Sequence, residues 1–107
     1  SSATDDVMYA NVTAIIEEEE GRRVWLIGNH PATCVVEQAV ELKKSGDNVW
    51  VILPKVTLEG ECVEESRPFK IAIDVPYDDT MKRGVLLHVR VMDGRSMNLL
   101  FKNLAKR

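Results

Sequence analysis

The chain has few of the devices that announce chemistry. Its 107 residues contain no glycine-rich phosphate loop, no Cys-x-x-Cys pair, no His-Glu-x-x-His and no calcium-binding loop. Those absences remove the commonest nucleotide, zinc and calcium sites from consideration. No apolar run approaches the roughly 20 residues that cross a bilayer as a helix. Positive charge is in deficit, with 14 Lys and Arg against 17 Asp and Glu and a formal net charge of −3. A nucleic-acid surface needs a concentrated basic face, so no nucleic-acid partner is expected. There are only two cysteines, Cys34 and Cys62. They allow one disulfide in an oxidising compartment or two buried thiols in a reducing one, and the sequence leaves both open. No catalytic residue, cofactor, metal ligand set or small-molecule substrate is expected.

What the chain does have is alternation. Phe69, Ile71, Ile73 and Val75 alternate with Lys70, Ala72 and Asp74, the two-residue period of a strand with one buried face. Pro76 ends it, because proline has no amide hydrogen for a ladder. Val85, Leu87, Val89 and Val91 repeat the pattern, Asp93-Gly94 supplies a tight turn, and Met97, Leu99 and Phe101 continue it. Val12, Ala14 and Ile16 form a weaker first strand, and the carboxylates Glu17 to Glu20 with Gly21 read as a solvated turn. Val24 to Ile27 and Val49 to Leu53 are short strands, the second with Val49, Val51 and Leu53 on one face and Trp50 and Ile52 on the other. Pro54 bends or ends that strand. The reading is all-β: an antiparallel β-sandwich in a single domain over residues 1–107, with residues 1–6 a flexible polar lead. A chain of this length has room for one core, burying roughly two-thirds of its unfolded surface.

Residues 32–46 are locally ambiguous. As a helix at 32–44, Val35, Val36, Ala39 and Leu42 share a face, Pro31 sits in the first turn and Gly46 follows the last, which makes a β-α-β unit and an α/β fold. As a strand, Val36, Gln38, Val40 and Leu42 face one side, and β-branching favours that form.

Four features bear on chemistry. His30 and Cys34 would share a helical face, as a nucleophile and its base might, but lack an orienting group. His88 falls on the polar face of its strand, and Asp78 and Asp79 at a strand end suit turn hydrogen bonds. Asn11-Val12-Thr13 matches a glycosylation acceptor, relevant only in a eukaryotic secreted protein. The stronger functional signal is an apolar surplus on faces that alternation sends outward: Trp25, Ile27, Trp50, Ile52, Leu86, Met92 and Leu100. A sandwich buries only one face of each sheet, so either the Gly28 to Gly46 segment covers these groups or a partner's helix or extended segment does.

The stretches VWVILPKVTL and RPFKIAIDVPYDDTMKRGVLLHVRVMDGRSMNLLF together resemble the YscW/YbaY-type lipoproteins, the family that contains pilotins of type III secretion. The shared features are a strand, a variable loop, Pro68-Phe69 opening a second strand, a Pro76-Tyr77-Asp78 corner and a hairpin around Asp93-Gly94. The resemblance covers Val49 to Phe101; the first half of the chain departs from the pattern. It implies a β-sandwich, tips residues 35–43 towards a strand, and implies an outer-membrane lipoprotein on the periplasmic face, anchored by a lipid on a cysteine preceding Ser1. The implied partner is the C-terminal region of a secretin subunit, which a pilotin carries to the outer membrane for assembly. A periplasmic setting also permits a Cys34 to Cys62 bridge. Trp25, Trp50, Ile52 and Leu100 are the expected partner contacts, being large, apolar and off the expected core faces. A housekeeping or envelope-stress lipoprotein of the same fold, and a small α/β enzyme or ligand-binding domain, are the competing readings.

Overall fold

The computed structural model describes residues 7–18, 23–46, 48–76 and 84–101. Among these residues, ten strands account for almost all of the regular structure: β1 Met8–Tyr9, β2 Val12–Glu17, β3 Arg23–Ala32, β4 Val35–Glu37, β5 Glu41–Lys44, β6 Val49–Leu53, β7 Lys55–Leu58, β8 Glu64–Asp74, β9 Val85–Arg90 and β10 Ser96–Phe101. They form three sheets, β2-β3-β8, β10-β9-β6-β5 and β1-β7-β4. The fold is an all-β sandwich. Every pairing is antiparallel except that of β6 with β9, which is parallel and departs from the purely antiparallel expectation. Among the described residues there is no α-helix, and none long and apolar enough to cross a membrane.

Alternation accounts for the two larger sheets. In β3, Val24, Leu26 and Gly28 point inward opposite Ile73, Ile71 and Phe69 of β8. In β9, Val85, Leu87 and Val89 are fully buried, opposite Phe101, Leu99 and Met97 of β10. These two inward faces join Ala10, Val12, Ile52 and Val56 in one hydrophobic cluster. Each fully buried Val or Leu contributes about 1.5–3 kcal/mol of transfer free energy, so these facing rows dominate the favourable side of folding. The β9–β10 hairpin turns through Asp93 and Gly94, both at positive φ (68° and 73°), the backbone that the Asp-Gly pair predicts.

No helix forms at 32–44, and the α/β alternative is excluded. The segment splits instead between two sheets: Val35–Glu37 pairs with β7 and Glu41–Lys44 pairs with β6. Gln38 N–H donates to the Lys55 carbonyl at the crossing, so each part of the backbone finds partners outside itself. Long-range ladders outweigh a local propensity that was balanced. Two further boundaries differ from the reading of the sequence. β3 runs through His30 and Pro31 to Ala32, with Pro31 at a register irregularity that spares it a ladder bond, and β8 begins at Glu64, with Pro68 tolerated on an edge strand. In β2 a register shift between Val12 and Ala14 turns Ile15 inward, opposite Leu26, and Ile16 outward.

Cys34, in the turn after β3, is bonded to Cys62 before β8, and Thr33 reinforces the link. The Thr33 amide donates to the Val63 carbonyl, its hydroxyl donates to the Glu61 carbonyl, and that hydroxyl accepts from the Val63 amide. The polar lead at 1–6, the centre of the acidic turn (Glu19, Glu20 and Gly21) and the Tyr77-Asp78-Asp79 corner lie outside the described residues.

Two stability predictions follow from close packing and from this cross-link. A Cβ on Gly28 would collide with the Asn11 carbonyl and the Phe69 ring. Gly28→Ala is therefore expected to destabilise by at least about 1–3 kcal/mol, read from urea unfolding. Replacing both cysteines by serine is expected to cost about 2–5 kcal/mol, read from the same midpoints in non-reducing buffer. An unchanged midpoint in either variant would contradict the packing described.

Candidate partner-binding surface

The outer face of β2-β3-β8 carries the first apolar patch. Register places Ile16, Trp25 and Ala72 in one row and Ala14, Ile27 and Lys70 in the next. Ile16 is 50% exposed; Trp25 and Ile27 are half-buried. The indole is fixed on three sides. Its Nε1–H donates to Glu18 Oε1 at 2.7 Å, the Lys70 ammonium lies 4.4 Å from the ring centroid, and the Arg23 guanidinium lies 5.9 Å away. Arg23 in turn donates to Asp74 at 3.0 Å, and that hydrogen bond, with the carboxylate's charge, raises the guanidinium's pKa above its ordinary value. Lys70 has no ion pair among the described residues, and its ammonium faces the ring in a cation–π contact. The result is a rigid aromatic platform with an exposed isoleucine beside it and a cation at its rim.

The outer face of the other large sheet carries the second. Val49, Leu86 and Leu100 lie in one row across β6, β9 and β10, and Val51, His88 and Asn98 in the next. Leu100 is 49% exposed. His88 Nδ1 lies 2.7 Å from Asn98 Oδ1, a contact in which the ring N–H donates to the amide oxygen.

Of the four residues expected to form the partner surface, the structure leaves Trp25 and Leu100 outward and moves two inside. Ile52 is fully buried, and Trp50 is half-buried against the core. Parallel pairing with β9 explains the inversion: Trp50 lies beside Leu87 and Ile52 beside Val89, both core residues, so Val49 and Val51 face outward instead. Trp50 Nε1–H is buried without a partner, further indication that this indole serves packing. Trp25 and Leu100 also belong to the outer faces of different sheets, so the four do not form one surface. The sequence reading overlooked Ile16, because the β2 bulge breaks the alternation that had grouped it with Val12.

A third feature is a cleft of about 370 Å³ bordered by His30, Thr33, Glu37 and Arg67. His30 is buried, stacked on Phe69 with ring centroids 4.4 Å apart, and its Nε2 lies 2.8 Å from Glu37 Oε2. The pairing of His30 with Cys34 as base and nucleophile does not form. Cys34 Sγ is bonded to Cys62, and the Thr33 hydroxyl already donates to Glu61. Among the described residues no three His, Cys, Asp or Glu side chains converge as a metal site would require. In the Asn11-Val12-Thr13 triplet, Thr13 donates to the Ile27 carbonyl and the Asn11 amide oxygen accepts from Arg95.

Compared with known proteins, the chain matches no protein-family model, and neither a curated protein nor a solved structure matches it.

The inward and outward assignments separate in unfolding experiments. Ile52→Ala is expected to cost about 2–5 kcal/mol, and Leu100→Ala, on the outer face, within about 0.5 kcal/mol of nothing. Equal effects from the two in denaturant titrations would overturn the orientation of β6.

Proposed function

We propose that the protein is a docking lipoprotein of the pilotin kind, which holds the C-terminal region of a secretin subunit and accompanies it to the outer membrane. The observation that carries this reading is the Ile16–Trp25–Ile27 face: large apolar groups that the fold leaves outward, on a platform already held rigid by Glu18 and Lys70. Preformed aromatic anchors of this type concentrate binding energy, because little side-chain entropy remains to be lost. The motif resemblance supplies the identity of the partner, and the Cys34–Cys62 disulfide suits the oxidising periplasm. In this reading the partner segment lays apolar residues over Ile16 and Ile27, and a carboxylate near its end meets Lys70. An N-terminal lipid anchors the complex, and the protein's work is shielding and delivery rather than bond chemistry.

The test is a pull-down from the envelope of the native host with wild-type, Trp25→Ala and Ile16→Asp baits, each checked for folding by thermal melting. The expected result is a secretin recovered by the wild type and reduced at least tenfold, about 1.4 kcal/mol, with either variant. A folded wild-type bait that recovers no secretin would leave the housekeeping lipoprotein of the same fold as the better account.

A further inference from the structure

Edge strands present unpaired N–H and C=O groups, and proteins normally guard them with charge, proline, bulges or shortness. Among the described residues, the edges of this fold follow that rule with one exception. β8 carries Glu64, Glu65, Arg67, Pro68 and Lys70, and β5 carries Glu41, Lys43 and Lys44. β2 is bulged between Val12 and Ala14, β4 has three residues and β1 two. β10, Ser-Met-Asn-Leu-Leu-Phe, is six residues long, pairs with β9 without any register shift, and has no charge and no proline. Among the described residues, Ser96 to Leu100 have no backbone partner on the side away from β9.

The side chains at this edge are also incompletely covered. Met97 and Leu99 pack on the core but stay only partly buried, and Leu100 is 49% exposed on the opposite face. A strand that completes the edge must therefore be apolar towards both faces and uncharged along its centre. Among the described edge strands longer than three residues, β10 itself has that composition.

We propose that β10 is a self-association edge, pairing antiparallel with β10 of a second copy about a two-fold axis to make a continuous eight-stranded sheet. Faces match only when paired residue numbers sum to an even value, since a one-residue slip would turn core-side groups outward. The register centred on Asn98 satisfies this. It sets Met97 beside Leu99 of the second copy and Ser96 beside Leu100 of the second copy, and it uses only residues 96–100. Asn98 already accepts from His88 through its oxygen, so its amide N–H groups are available to the second copy's Asn98. No like charges meet at the axis, although each chain carries a net charge of −3. A five-residue edge pairing buries less than the roughly 1,200–2,000 Å² of a stable interface, so the dimer is reversible and concentration-dependent. This edge is separate from the Trp25 face, and the inference does not depend on the secretin reading.

The experiment is sedimentation equilibrium of the wild-type chain from about 10 µM to 1 mM, the range of weak association. It is paired with amide hydrogen exchange at the two ends of that range. The expected result is a mass rising from 12.1 kDa towards twice that value, with exchange slowing at amides within 96–100. Asn98→Lys and Leu100→Lys, each adding an edge charge at an exposed position, are expected to remain at monomer mass with unchanged melting temperature; Ile16→Lys, on the other sheet, is expected to dimerise as the wild type does. A wild-type chain that stays monomeric throughout the range overturns the proposal. So does a dimer that survives both edge lysines, or one that only Ile16→Lys abolishes.

Discussion

The parallel pairing of β6 with β9 is the constraint on which the rest of the architecture depends. It joins two segments with four intervening strand boundaries between them, and it aligns Trp50 with Leu87 and Ile52 with Val89. Once that alignment is made, the inward face of the four-stranded sheet is determined, and so is the row Val49–Leu86–Leu100 that remains outside. The opposing sheet then closes on the same cluster through Val24, Leu26, Phe69 and Ile73. A parallel pair has no hairpin to set its register and must pass through a long crossover. Here the crossover includes β7 and β8, so the third sheet and the disulfide loop are consequences of the same connection.

The two outer faces differ in how they treat their apolar residues. On β2-β3-β8 the outward, half-buried aromatic is restrained by a hydrogen bond and two cations, which lowers the ordering cost of any contact made there. On the other sheet the apolar row runs to the strand that lacks guards. In the proposed reading one face serves side-chain recognition, while the other ends in a strand whose Ser96 to Leu100 backbone has, among the described residues, no partner on its far side. The two proposed modes of association are compatible because the sandwich core separates the two faces. In the His30–Glu37 cleft, by contrast, His30 is paired through Nε2 with Glu37, and Cys34 is committed to the disulfide.

Much of the fold was legible before the structure because it is local. The alternation at 69–75 and 85–91 and the Asp93-Gly94 turn required nothing beyond neighbouring residues, and they appear as expected. The orientation of Val49–Leu53 was not legible, since both of its faces are apolar and alternation cannot rank them. The segment at 32–44 was equally open, because its helical and extended patterns are nearly matched in strength. Half of the expected partner surface went the wrong way for the first of these reasons. Ile16 was missed because a bulge changes the parity of a strand without leaving a proline or glycine to mark it.

The sequence by itself determined that the chain would be built from strands, where the turn before the last strand falls, and that it holds more large apolar residues than one-sided sheets can bury. Periodicity and turn chemistry are properties of adjacent residues, so a linear reading can find them. Only the tertiary structure decided which of those apolar residues face outward, that Cys34 meets Cys62, that residues 35–44 divide between two sheets, and that β10 lies at an edge. Each of those outcomes depends on a partner far along the chain. Strand pairing selects the buried face only after the segments have met.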